Sequence, residues 1–198
     1  MKKRILLLDG YAAASHVAWI HGLTSFLSEY DWTVVTLPPR HFSWRIRGSA
    51  LSFVSHYSKE LEQSYDLVIC TSMVDLAALK GLCPNLSKCP SILYFHENQF
   101  VYPGEYAKSL LEAQMVTLYS AMAAEWLVFN SHFNQESFID GAEQLFKKLP
   151  DFVPQAWRST IEPKSIVLPV PIKEPVLTRG NRKRIIRNRI GLESSLGV

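Results

Sequence analysis

Short, continuous runs of apolar residues alternate along the chain with longer segments in which apolar residues recur every three or four positions. The short runs are typical of buried β-strands and the longer spacing is typical of helices. The first run, at 4–10, precedes a helical pattern at 16–30, and the second, at 32–39, is stopped by two prolines before a helical pattern at 47–63. The later strand and helix pairs are 66–72 with 73–81, 91–95 with 107–124 and 125–130 with 131–148, and a last strand is predicted at 165–170.

This alternation determines the predicted fold class. Strands that are apolar along their whole length are buried on both faces, and strands that alternate with helices form parallel sheets. The pattern therefore predicts an α/β protein with a Rossmann-like, doubly wound parallel sheet. Ligands of such sheets bind beyond the carboxyl ends of the strands. We therefore expect the functional residues in the loops that follow the strands, at one edge of the sheet.

Composition narrows the class of protein further. The 198 residues, 47% of them hydrophobic, suffice for one sizeable core, and we assign a domain to 1–173 and a tail to 174–198. No apolar run reaches the roughly eighteen residues of a membrane helix, so we expect a cytoplasmic protein with no membrane partner. The three cysteines, Cys70, Cys83 and Cys89, form no CxxC pair, which argues against a disulfide framework or a zinc site.

The net charge of +3 is unevenly distributed along the chain. Residues 1–178 carry 15 Lys and Arg against 17 Asp and Glu, whereas 179–189 carry six basic residues and no acid. The body of the protein is therefore not basic. The basic run has two interpretations, a segment that meets phosphates or a solvated terminus without a partner.

The most unusual polar residues follow the fourth predicted strand, in the segment ILYFHENQFVYP. Here His96, Glu97, Asn98 and Gln99 stand in sequence at the end of a core strand. Four consecutive polar side chains cannot all be buried without partners, so their presence predicts a functional site. The zinc motif HExxH would need a histidine where Phe100 stands, so we predict no metal site of that type.

Other strand ends carry candidates with two interpretations each. Ser15 after the first strand, and Asn130 and Ser131 after the fifth, are suited to capping the helices that follow. A helix N-terminus is also a site at which anions bind. The segment RHFSWRIR at 40–47 interleaves three arginines with aromatic residues. That composition suits stacking on bases and pairing with phosphates, or it is an ordinary surface loop.

Six segments resemble one known family in their order and spacing: YAAASH, TLPPRHFSWRIRGSAL, ILYFHENQFVYP, VFNSHFNQESF, LPDFVP and VLPVPI. They are similar to the N-terminal domain of the tRNA-queuosine α-mannosyltransferases, a group of GT-B, family-4-like glycosyltransferases, and the resemblance covers about 3–173. It implies transfer of mannose from GDP-mannose, with retention of configuration, to the cyclopentenediol of queuosine in a tRNA anticodon loop.

The resemblance also implies roles for particular residues. His96 and Glu97 would be catalytic, with His96 contacting the transferred sugar and its leaving phosphate. An imidazole that changes charge near physiological pH is suited to that task. Tyr102 would form the far wall of the site. The residues implied to bind substrate are Ser15, His16, Asn98, Gln99, Tyr102, Asn130, Ser131 and Asn134. The residues implied to contact RNA are Arg40, Trp44, Arg45 and Arg47.

The implied partners are tRNA, a nucleotide sugar and a second domain, with no metal cofactor. Members of this group have two Rossmann-like halves, and the C-terminal half holds most of the nucleotide sugar. After residue 179 no further strand and helix series follows, so we expect 174–198 to be a truncated interdomain linker and basic tail. We then expect the isolated chain to be inactive without a donor domain. The alternatives are a non-catalytic tRNA- or nucleotide-binding Rossmann-like module, or a product in which only the fold survives.

Overall fold

A computed structural model describes residues 2–101 and 107–171 of the protein. The predicted ligand contact Tyr102 and the predicted tail 174–198 lie outside these described residues. Within them, no helix is both long enough and apolar enough to cross a membrane. The strands are β1 (Arg4–Asp9), β2 (Asp31–Thr36), β3 (Leu67–Thr71), β4 (Ser91–Phe95), β5 (Trp126–Phe129) and β6 (Ser165–Val167). The helices are α1 (Ala14–Phe26), α2 (Phe42–His56), α3 (Ser58–Leu61), α4 (Leu76–Leu82), α5 (Pro84–Ser87), α6 (Ala107–Ala123), α7 (His132–Phe146) and α8 (Trp157–Ile161), followed by a 3₁₀ turn (Glu162–Lys164).

The strands form one parallel sheet in the order β2-β1-β3-β4-β5-β6. Leu8 pairs with Cys70, Cys70 with Leu93, and Leu93 with Leu127, so the carboxyl ends of the central strands are level. The order of connection reverses between β1 and β3, which is where a doubly wound sheet opens a crevice. The predicted α/β, Rossmann-like fold with six strands is confirmed.

The core lies on both faces of the sheet, as the continuous apolar runs predict. Along β1, Leu6 and Leu8 belong to one cluster of buried side chains, while Ile5 and Leu7 belong to another on the opposite face. Successive strand residues point to opposite faces, so only a strand covered by helices on both sides buries all four. The ends of β4 and β5 are joined in the larger cluster by Phe95 and Phe129, whose rings stack at 4.4 Å.

Helix α2 begins earlier than the sequence pattern predicts. The prediction placed 40–47 in a loop and the helix at 47–63, but α2 begins at Phe42 and ends at His56, and the short α3 follows it. His41 adopts the left-handed conformation, with φ of 57°, and turns the chain from the segment that contains Pro38 and Pro39 into the helix. The backbone N–H of Arg45 already donates to the His41 carbonyl, at 2.9 Å.

Two other helix starts also differ from the prediction. Helix α1 begins at Ala14, after an Ala13 that makes no side-chain capping bond, so the interpretation of Ser15 as the helix cap is wrong. Helix α4 begins at Leu76 and not at 73, because the Asp75 side chain accepts a hydrogen bond from the backbone N–H of Ala78, at 2.9 Å. A cap of this kind fixes where a helix starts.

The loop after β1 is packed directly against the loop after β3. A Cβ placed on Gly10 would lie 2.4 Å from the backbone carbonyl oxygen of Met73, so glycine is required there by close approach of two backbones. We expect Gly10→Ala to lower the free energy of unfolding by about 1 to 3 kcal/mol, as overpacking does. Urea denaturation of the purified chain measures this loss.

Gly22→Ala is the matched control for this substitution. Gly22 lies within α1, and a Cβ there would meet nothing within 4 Å, so alanine should stabilise the helix by about 0.5 to 1 kcal/mol. Equal effects of the two substitutions would show that the loops after β1 and β3 are not held in close contact.

Candidate functional site

The loops after β1, β4 and β5 meet at the carboxyl edge of the sheet. The side-chain amide of Asn130 donates to the backbone carbonyl of His96, at 2.6 Å. The rings of His16 and His96 stack with their centroids 4.0 Å apart and an interplanar angle of 20°. The prediction that polar residues from these three loops share one edge is therefore confirmed for the described residues.

His96 is enclosed by aromatic rings. The edges of Trp19 and Tyr94 pack against its imidazole at 4.9 Å and 4.8 Å, and His16 covers one face. Its Nε2 atom is buried and has no hydrogen-bond partner among the described residues. Burial and the positive charge of His16 lower the pKa of His96 from 6.5 to about 3. The expectation of a charge change near physiological pH is therefore wrong for His96 in this structure.

His16 carries the positive charge of the site. Its Nδ1 lies 3.0 Å from Oδ1 of Asp9, and its Nε2 lies 3.4 Å from Oε2 of Glu97. Burial is the largest single influence on this pKa and lowers it, but the hydrogen bonds and charges of Asp9 and Glu97 together outweigh burial. The pKa of His16 is thereby raised from 6.5 to about 9. At neutral pH the imidazolium therefore donates to both carboxylates.

Asp9 was missed by the sequence analysis, although it anchors this arrangement. Its side chain is completely buried at the end of β1. Oδ1 accepts from the Thr71 hydroxyl at 2.8 Å and from the Tyr11 backbone N–H at 3.2 Å, in addition to His16. Oδ2 has no partner among the described residues. The available signal was an acidic residue directly after four apolar strand residues, in the segment ILLLD.

Three residues of the tetrad after β4, His96, Glu97 and Asn98, line a cavity, and Asn98 and Gln99 have buried side chains that hold the loop in place. Asn98 is 4% exposed, and its amide donates to the backbone and side-chain oxygens of Asn134, at 3.0 and 2.8 Å. Gln99 is 1% exposed, with its amide 3.9 Å from the Met73 sulfur. These side chains fasten the loop to α7 and to the loop after β3. Ligand contact by Asn98 or Gln99 stays a prediction.

The start of α7 is held by three polar residues. Ser131 is the cap, and its hydroxyl accepts from the backbone N–H of Asn134 at 3.2 Å, as one of its two interpretations predicted. Asn130 is not the cap, because its amide bonds to His96 and its oxygen accepts from the Asn134 amide at 2.9 Å. The Asn134 amide also donates to the carbonyl of Phe95 at 3.0 Å. This network holds β4, β5 and α7 in register around the site.

A cavity of about 300 Å³ opens beside His96. Its polar lining residues are His96, Glu97, Asn98, Asn130, Ser131 and Asn134, and its apolar lining residues are Val101 and Phe133. The Glu97 side chain is 30% exposed and the Phe133 residue 67% exposed. Such a site is suited to a ligand that combines hydroxyl groups with a flat apolar surface. Ser15, by contrast, is exposed on the first turn of α1, next to His16.

Comparison with known proteins then shows the family. The family model described as "tRNA-queuosine alpha-mannosyltransferase N-terminal" matches residues 4–172. The chain belongs to this family. The tRNA-queuosine alpha-mannosyltransferase of Drosophila melanogaster is 34% identical over 172 residues, which make up 86% of this chain and 45% of that relative. The chain thus spans about half the length of the curated relative that it matches, and the resemblance found in the sequence is confirmed.

Four residues of this family member were predicted to contact RNA, and two of them have side chains that are buried or paired within the protein. Arg45 is 8% exposed, and its Nε donates to the carbonyl of Pro38 at 3.2 Å, so its assignment to an exposed loop is wrong. Arg47 forms an ion pair with Glu112 of α6. Arg40 is exposed and Trp44 is half exposed. RNA contact by this segment stays a prediction.

The described part of this family member contains no cluster of side chains suited to bind a metal ion. Within 2–101 and 107–171, no group of three or more His, Cys, Asp or Glu side chains is arranged to hold a metal ion. The three cysteines are free, buried thiols, and burial raises the pKa of each of them.

The charged state of His16 predicts how the stability of this queuosine-mannosyltransferase-family domain depends on pH. A pKa that rises from 6.5 to about 9 on folding contributes stability that is complete below pH 6.5 and is lost as the pH rises to 9. The loss is on the order of 3 kcal/mol. His16→Asn should remove this dependence, and urea denaturation at pH 6.5 and pH 9 measures it.

The exposed His21, on the same helix, provides the matched control. His21→Asn should keep the wild-type loss of stability between the two pH values. If His16→Asn kept it as well, the imidazolium assigned to His16 would be ruled out.

Proposed function

We propose that this domain is the acceptor-facing half of a retaining mannosyltransferase that transfers mannose from GDP-mannose to queuosine in tRNA. Family membership supports the reaction class. The observation that carries the site assignment is that His96, Glu97 and Asn130 line one cavity, and that the buried Nε2 of His96 has no partner among the described residues. A buried polar atom without a partner is costly, so a ligand that pairs with it is bound with specificity.

The reaction transfers one glycosyl group and needs no oxidant or reductant. The bond between the anomeric carbon and the phosphate oxygen breaks, and GDP departs with the bonding electrons. A hydroxyl oxygen of the acceptor forms the new bond on the same face of the sugar, and its proton passes to the departing phosphate oxygen. The transition state carries positive charge on the sugar and negative charge on the leaving group.

His96 acts in this proposal as a neutral hydrogen-bond donor. With its pKa near 3, it does not carry a proton to the leaving group at neutral pH. The Nε2–H tautomer donates to a hydroxyl of the transferred sugar or to the leaving phosphate oxygen. Because the atom is buried among aromatic rings, this hydrogen bond is stronger than it would be in water.

In this proposal, Glu97 and Phe133 bind the acceptor. One oxygen of the Glu97 carboxylate pairs with His16, and the 30% exposure of the side chain leaves it accessible from the cavity. A carboxylate accepts hydrogen bonds from both hydroxyls of a vicinal diol, such as the cyclopentenediol of queuosine. Phe133 offers an exposed ring at the same cavity, which is the kind of surface on which an unstacked nucleobase packs.

The proposal assigns the donor diphosphate to a second domain. We therefore expect mannosyl transfer only when residues 1–173 are joined to a donor-binding half. His96→Ala in such a fusion, with the donor half of the Drosophila melanogaster relative, should lower turnover by about 10²- to 10⁴-fold, or roughly 3 to 5 kcal/mol. The free energy of unfolding should fall by about 1 to 3 kcal/mol, because the imidazole packs against three other rings, so turnover is compared on folded protein. Transfer of labelled mannose to queuosine-containing tRNA and urea denaturation measure the two quantities.

His56→Ala is the matched control, because His56 is an exposed histidine at the end of α2 and should leave both quantities unchanged. The isolated chain is the negative control and should transfer no mannose. A fully active His96→Ala fusion would remove the catalytic assignment. A fusion that binds the tRNA and never transfers mannose would favour the non-catalytic, tRNA-binding alternative.

A further inference from the structure

We propose that Asp9 is a positioning residue for sugar transfer: through His16, it fixes the orientation of the His96 imidazole beside the cavity. The inference rests on the function proposed above, because it assumes that His96 contacts the reacting sugar. It adds a residue that touches neither the cavity lining nor the substrate, at the point where the sheet reverses its order between β1 and β3.

The carboxylate of Asp9 is held in one orientation by three elements. Its Oδ1 accepts from Thr71 at the end of β3, from the backbone of Tyr11 in its own loop and from His16 on α1. The side chain is completely buried, and Gly10 packs its loop against the backbone of Met73. A carboxylate with three donors on one oxygen and no room to move cannot turn away from His16.

His16 transmits this fixed orientation to His96. The ring is held at both nitrogens, by Asp9 on one side and Glu97 on the other, and it lies nearly parallel to the His96 ring at 4.0 Å. The edges of Trp19 and Tyr94 close other sides of the His96 ring. Rotation of His96 would separate these stacked and edge contacts, so a fixed His16 also fixes the direction of Nε2.

The charges around the two histidines support the same positioning role for Asp9. Among the described residues, the charged and titratable groups packed around the two histidines are Asp9 from β1, Glu97 after β4 and Tyr94 from β4. Burial raises the pKa of Tyr94 to about 12, so it stays neutral. The protonated His16 then opposes protonation of His96 more strongly than Asp9 favours it. Asp9 thus keeps the proton on His16, and burial together with that charge leaves His96 neutral.

The test begins with residues 1–198, histidine-labelled with ¹⁵N, because the imidazole signals report charge and tautomer without any enzyme assay. In the wild-type chain, both His16 nitrogens should remain protonated at pH 7.5, with a strongly downfield proton at Nδ1. In Asp9→Asn, the titration midpoint of His16 should fall by at least about one pH unit, since a close opposite charge shifts a pKa by about 1 to 3 units. The midpoint of His96 should fall, because His16 is still protonated at the pH where His96 titrates and the attraction of Asp9 is lost.

The matched control is Asp66→Asn, which removes a carboxylate bound to Lys3 at the opposite end of the sheet. It should leave both histidine titrations unchanged. If Asp9→Asn folds and His16 titrates as in the wild type, the inference fails. If Asp9→Asn does not fold, the wild-type spectrum still decides, because a neutral His16 at pH 7.5 overturns the inference and a doubly protonated one supports it.

The second arm uses the two-domain fusion. Asp9→Asn should lower turnover by about 10- to 100-fold, as a small displacement of a reacting group does, with a smaller effect on KM and a displaced pH profile. Loss of activity in His96→Ala with full activity in Asp9→Asn would overturn the positioning role alone. Full activity in both variants would instead overturn the function proposed for His96.

Discussion

The site depends on one constraint, a carboxylate buried completely at the end of the first strand. A buried charge is tolerated only when it is paired and hydrogen-bonded. His16, from the first turn of α1, pairs with Oδ1 of Asp9, and the resulting imidazolium lies between two carboxylates. The stacked His96 is then left neutral. The pairing of Asp9 with His16 beside the β1 and β3 reversal thus adds to burial in keeping His96 neutral.

Most of the fold was predictable because parallel strands covered on both faces leave a plain signal. Runs such as 5–8 and 92–95 are apolar along their whole length, as buried strands are. Their alternation with helices predicts a parallel sheet. The start of α2 was not predictable in the same way. The segment 40–47 has the composition of a surface loop, and the turn into the helix depends on a left-handed His41, which propensity does not favour. That Arg45 is buried follows from tertiary packing alone.

The site was predictable where polar residues follow an apolar strand and unpredictable where a partner lies far along the chain. His96 to Gln99 were found because four polar residues follow β4, but the burial of Asn98 depends on Asn134, which holds it from α7. Asp9 was missed because an aspartate before a glycine is also a common turn signal. Its role becomes visible only when Thr71 and His16 are brought to it by the sheet.

The most direct test of the account is to locate the acceptor on the chain itself. Two anticodon hairpins, identical except for queuosine or guanosine at the modified position, are titrated into residues 1–198 with isotope-labelled histidine, glutamate and asparagine. The account predicts that the signals of His96, Glu97 and Asn130 shift with the queuosine hairpin and not with the guanosine hairpin. Equal shifts with both hairpins, or shifts confined to residues away from the carboxyl edge of the sheet, would contradict it.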